Sequence, residues 1–102
     1  MERAEFERRL KTEGYSELFD RQMKAGETGP EHSHEFDALR LVLKGEMTIA
    51  CNGKPATFRA GDLCSSPAGT SHTEQFGSGT ASVHYLAACR YPASGRITDV
   101  RE

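Results

Sequence analysis

Apolar residues recur at helical spacing in the first dozen positions and at strand spacing thereafter. In "ERAEFERRLKTE", residues 2–13, Phe6 and Leu10 stand four apart among eight charged residues. This predicts a short helix with one narrow apolar stripe and a solvated charged face. Glu5/Arg9 and Glu7/Lys11 lie four apart in the favourable order for ion pairs, and Gly14 reads as the stop. From there the texture changes to short segments between turn residues. "YSELFDRQM" and "DALRLVLK" read as strands, and "MTIAC" is followed by Asn52-Gly53, the strongest short hairpin signal. "KPATFRA", "LCSSPAG", "SHTEQF", a Gly/Ser turn at 77–79 and "TASVHYLAAC" complete the series. About seven strands at spacings of roughly 8–12 residues predict an antiparallel sandwich or barrel. With no helix-period segment after Gly14, a parallel α/β sheet is not expected. The expected layout is a single domain, 1–102, with a helix over 1–14, an all-β barrel over 15–90 and a tail over 91–102 that caps the barrel or frays.

The chain of 102 residues is 36% hydrophobic and 27% charged, which fits a globular domain with a modest core. With 13 basic and 15 acidic residues, net charge −2, nothing points to nucleic acid or an anionic membrane. No apolar run is long enough to span a bilayer. The opening residues have charges throughout and no apolar stretch of a secretory signal, so a cytoplasmic location is expected. Cys51, Cys64 and Cys89 are odd in number, far apart and in no C-x-x-C pair, so they read as reduced small hydrophobes rather than a disulfide or zinc framework.

The candidate chemistry lies in "GPEHSHEFDALRLVLKGE", residues 29–46. If the segment is extended, His32 and His34 point to one side. His72 follows a Pro/Gly turn and sits at a strand start, where it can face the pair across a barrel interior. Three neutral imidazoles converging on one point suit Zn, Fe, Ni, Mn or Cu. An isolated His-x-His pair equally fits a solvated loop, and the frame around the histidines decides between the two.

That frame resembles the cupin superfamily, in its small single-domain conserved-barrel form. Gly26, His32, His34 and Gly45 fall at the spacings of the first cupin motif, G-x5-H-x-H-x3/4-E-x6-G. Gly61, Pro67, Gly69 and His72 fall at those of the second, G-x5-P-x-G-x2-H-x3-N. The resemblance implies an antiparallel jelly-roll β-barrel whose three histidines point inward and hold one divalent transition metal. Two positions depart from the pattern: Ala38 stands where the usual glutamate ligand falls, and Phe76 where the usual asparagine falls. Asp37 is next to Ala38 but alternation points it to the other face. Glu74, two residues after His72, is on the histidine's face and can complete the metal sphere or support a ligand. Water alone can also complete it.

Arg40, Phe76 and His84 are further pocket candidates. Steps of two from Ala38 put Arg40 and Val42 on one face of a strand whose other face, Leu39, Leu41 and Leu43, is more apolar. Either Arg40 faces solvent, or both faces are covered, one by the barrel interior and the other by the helix or a second subunit. His84 reads as a hydrogen-bonded structural residue. The functions implied are a metal-dependent dioxygenase, isomerase or lyase acting on a small polar or acidic organic molecule, or a non-enzymatic small-ligand sensor. A homodimer is the expected assembly.

Overall fold

The computed structural model describes residues 1–77 and 81–91. The expected tail, apart from Tyr91, and most of the Gly/Ser turn lie outside them. The elements are helix α1 (Arg3–Glu13) and strands β1 (Ser16–Met23), β2 (Asp37–Lys44), β3 (Glu46–Cys51), β4 (Lys54–Arg59), β5 (Leu63–Ser66), β6 (His72–Phe76) and β7 (Val83–Arg90). The strands form two antiparallel sheets, ordered β1-β7-β2-β5 and β4-β3-β6. The chain is therefore all-β with one short N-terminal helix, as its strand spacing predicts, and its two sheets form the jelly-roll barrel that the resemblance implies. Among the described residues no helix is long and apolar enough to cross a membrane.

The helix ends at Gly14, in left-handed conformation. Its ion pairs are Arg3–Glu7 and Arg9–Glu13, both at 2.8 Å, rather than Glu5–Arg9 and Glu7–Lys11. On an exposed surface each alternative pairing differs by only tenths of a kcal/mol, so spacing alone does not select among them. The stripe behaves as expected. Phe6 (0% exposed) and Leu10 pack on Leu39, Leu41, Leu86 and Ala88, the outer face of the four-stranded sheet.

The opposite face of the same sheet meets β3 and β6. Val42, Met47, Ile49, Cys64, Phe76, Val83 and Tyr85 form the core between the sheets. Strand β2 is thus covered on both sides. Residues Ala38 to Val42 are all buried, which explains why "DALRLVL" reads as a continuous run rather than a clean alternation. The three cysteines form no disulfide, and Cys64 and Cys89 are buried.

Turn chemistry sets the registers. Asn52 (φ 53°) and Gly53 (φ 83°) make the predicted hairpin between β3 and β4. Gly45 (φ 81°) turns the chain from one sheet into the other, and a Cβ there would sit 2.8 Å from the Ser82 carbonyl oxygen. Only glycine meets both conditions. Strand β1 is the edge of its sheet, with Leu18 and Phe19 the large apolar residues exposed on it (40% and 43%).

Candidate metal centre

His32 and His34 lie before β2, outside the seven strands, so they are not strand residues in the sense their spacing suggested. The segment is nonetheless fixed like one. His32 and His72 form an antiparallel bridge, each backbone N–H donating to the other's carbonyl at 2.9 and 2.8 Å. The turn between β5 and β6 supports the neighbouring histidine, with the Gly69 N–H donating to the His34 carbonyl at 2.8 Å. His72 opens β6, as its place after the Pro/Gly turn predicts.

The consequence is a cluster in which one ligand atom from each of His32, His34 and His72 lies within 4.8 Å of the other two. Two nitrogens bound to one ion at ~2.0–2.1 Å are at most about 4.2 Å apart, so ring movements of under an ångström would close the cluster onto one ion. Ring orientation is set by the backbone. His32 Nδ1 lies 2.9 Å from the Pro30 carbonyl oxygen, and His72 Nδ1 lies 3.1 Å from that of Thr70. A carbonyl can only accept, so Nδ1 carries a proton in both rings, and in the neutral, metal-binding form of each ring Nε2 is the atom that presents a lone pair. His72 is 1% exposed, and its Nε2 is buried with no hydrogen-bond partner. An orphaned ring nitrogen at the centre of two other imidazoles costs desolvation energy unless something electropositive meets it. The donor set therefore fits a transition metal, held through a bond that a carbonyl on the far ring nitrogen orients. Burial holds the His34 pKa below the ordinary histidine value, helped by His32, His72 and Arg40 and opposed by Glu74. A depressed pKa keeps the imidazole in its ligating, neutral form.

Glu74 and Arg40 stand beside the cluster. One carboxylate oxygen of Glu74, Oε2, is 3.7 Å from His72 Nε2 and 3.2 Å from Arg40 Nη2. Arg40 is 3% exposed, faces the barrel interior, and donates through Nη1 to Ser66 Oγ at 3.0 Å. The structure decides the open question about its strand: both faces are covered, and the arginine is on the inside, paired with an acid. Asp37 turns away, accepting from the Ala68 N–H and from Arg90.

The cluster borders a cavity of ≈ 210 Å³, whose walls include Phe19, Arg21, Phe36, Ala38, Arg40 and Glu74. Two of the sequence candidates lie elsewhere. Phe76 is a core residue, 3% exposed, with its ring stacked on that of Tyr85 at 5.6 Å, and it does not line the cavity. His84 points from β7 to Asp20, its Nε2 2.6 Å from Oδ1. Phe36, not anticipated, stacks on His34 with ring centroids 4.5 Å apart. One more step of two along His32–His34 would have found it. Arg21 and Phe19 had no local signal, because β1 reaches the cavity only through its pairing with β7.

Comparison with known proteins agrees with this architecture. A protein from Thermotoga maritima, described as a predicted oxalate decarboxylase, superposes with TM-score 0.68 at 22% identity, covering 83% of this chain and 74% of its own. A cupin protein from Bacteroides fragilis gives 0.66 at 20% identity, with coverages of 83% and 75%. A cupin family protein with a double-stranded β-helix fold from Methanocaldococcus jannaschii gives 0.67 at 17%, with 76% and 71%. At these identities the likeness is one of fold. No curated protein matches the chain at a significant level. A family model for the cupin domain, however, matches residues 19–89, which takes in both histidine segments and every strand but the ends of the first and last. The chain belongs to the cupin family.

Proposed function

We propose that the chain is a metal-binding cupin in which His32, His34 and His72 hold one divalent transition metal at the wall of a cavity for a small organic molecule. The observation that carries this is the buried, unpartnered Nε2 of His72 within the three-histidine cluster. A metal there would act as a Lewis acid with coordination positions left over for substrate. Glu74 either ligates or steadies the site from beside it, and its distance to His72 Nε2 supports both roles. The reaction that fits is metal-assisted chemistry on a small molecule, of the dioxygenase, isomerase or lyase kind.

The test is metal content. Protein dialysed at neutral pH against Zn, Fe, Ni, Mn or Cu should retain about one ion per chain, and replacing any one of the three histidines by Ala should remove most of it. His84→Ala should leave it in place. Uptake of none of these metals by the native chain refutes the proposal. Glu74→Gln separates the two roles: loss of metal marks a ligand, and a roughly 10–100-fold weaker affinity with full loading at saturation marks a supporting group.

We also propose a homodimer, supported by the exposed Leu18 and Phe19 on edge strand β1. A sedimentation mass near the 11.2 kDa of one chain at micromolar concentration would contradict it.

A further inference from the structure

Two arginine–carboxylate pairs in this chain are built differently. Arg90 grips Asp37 through two nitrogens, Nε at 3.1 Å and Nη2 at 2.9 Å, both to Oδ2. The Ala68 N–H braces the other carboxylate oxygen at 2.8 Å. Arg40 meets Glu74 through one contact only, Nη2 to Oε2 at 3.2 Å, although it is the more buried arginine. With one long charged contact, and Nη1 reaching only Ser66 Oγ and, at 3.8 Å, Cys64 Sγ, this desolvated guanidinium does not use its strong mode, two parallel N–H···O bonds to one carboxylate. Ser66 Oγ anchors Nη1 independently, so the fork stays oriented when Glu74 moves.

The charges of the cavity point the same way. Among its described lining residues Arg21 and Arg40 are cationic, and Glu74 is the sole acid. Any divalent ion on the histidines adds to the positive excess. The field in the cavity therefore favours an anion, and Phe19, Phe36, Ala38 and Ala87 offer it apolar walls.

Resting on the metal reading above, we propose that the ligand is a small organic carboxylate, which takes the Arg40 guanidinium and displaces Glu74 from it. Arg40 is then the residue that selects for the anion, and Glu74 is a built-in competitor occupying its place.

The experiment titrates the Co(II)-loaded chain with acetate, glycolate and malonate and with the corresponding neutral amides, by calorimetry and by the visible spectrum of the cobalt. At least one carboxylate should bind about tenfold or more tightly than its amide. The paired variant Arg40→Met/Glu74→Gln removes both charges, so no buried carboxylate is stranded, and it should lower that affinity roughly 10- to 100-fold. Glu74→Gln alone, at full cobalt loading, should raise it, because the competitor is gone. A merely structural ion pair predicts no such gain. Equal binding of carboxylates and amides, or a carboxylate preference that survives in the paired variant, overturns the proposal. Should the paired variant not fold, weaker carboxylate binding by Glu74→Gln overturns it alone. A chain that takes up no cobalt refutes the metal reading separately. The same titration of the metal-free protein then decides the role of Arg40 by the same comparison of carboxylate with amide.

Discussion

The two faces of strand β2 do opposite things with adjacent residues. On the outer face Leu39 and Leu41 close against Phe6 and Leu10 of the helix, and the contact is wholly apolar. On the inner face Ala38 and Arg40 look onto the cavity, and Val42 alone joins the core between the sheets. The outer face buries surface that water would otherwise wet, and stability follows from area. The inner face buries a charge, and stability is given up there. The two sides differ by one residue of register, which in a strand is the difference between scaffold and site.

Perturbing the outer face should have the largest effect on stability and none on the site. Phe6→Ala should cost about 3–5 kcal/mol in urea unfolding, as expected for a buried aromatic truncated in a packed core. Metal bound per folded molecule should stay unchanged. If metal is lost in proportion, the helix is part of the site and the two faces are not separate.

Next in size is Gly45→Ala, at the turn that carries the chain from β2 to β3. The new Cβ meets the Ser82 carbonyl at 2.8 Å in a left-handed backbone, and a loss of about 1–3 kcal/mol should follow. A change below about 0.5 kcal/mol would mean that the 82–83 segment moves aside freely.

On the inner face, His34→Ala should abolish most metal binding while shifting the stability of the metal-free chain by less than about 1 kcal/mol, since the ring is only partly buried. A larger loss would make the histidine a packing residue.

The smallest effect is that of pH. The folded pKa of His34 is depressed, chiefly by burial. Above its unfolded value of ~6.5 the residue is neutral in both states, and its contribution is fully present. As pH falls below that value the unfolded chain takes up the proton first. Stability then declines until pH has passed the lower, folded value. The drop in urea midpoint between pH 7.5 and pH 5 should therefore be smaller in His34→Gln than in the native chain. An equal drop in both would locate the acid sensitivity elsewhere.

Much of this was legible in the sequence, for identifiable reasons. The strands show themselves because turn residues punctuate them, and Asn52-Gly53 pins one hairpin without help from the rest of the fold. The three histidines are legible because motif spacing and a Pro/Gly turn both act locally. Arg40 was ambiguous, since Leu39 and Leu41 look like the better core face until the helix is placed over them. Arg21, Phe19 and Ser66 were not legible. Each reaches the site through a register between distant strands, β1 on β7 and β5 on β2, which no short window contains. The exposed pairs on the helix were mis-assigned because the competing partners differ by less than thermal energy.

The bridge between His32 and His72 has a kinetic corollary. It ties together two strips of chain whose neighbours, Glu31 and Ser71, are forty residues apart. A loop of that length must close before the second imidazole can meet the first, and non-local closure of this kind is paid for early and rewarded late. Until then the collapsing chain offers an ion only the local His32–His34 pair, two of the three imidazoles. Added metal should accordingly slow unfolding and leave the refolding rate nearly untouched, so the ion records that the barrel has closed and takes no part in closing it.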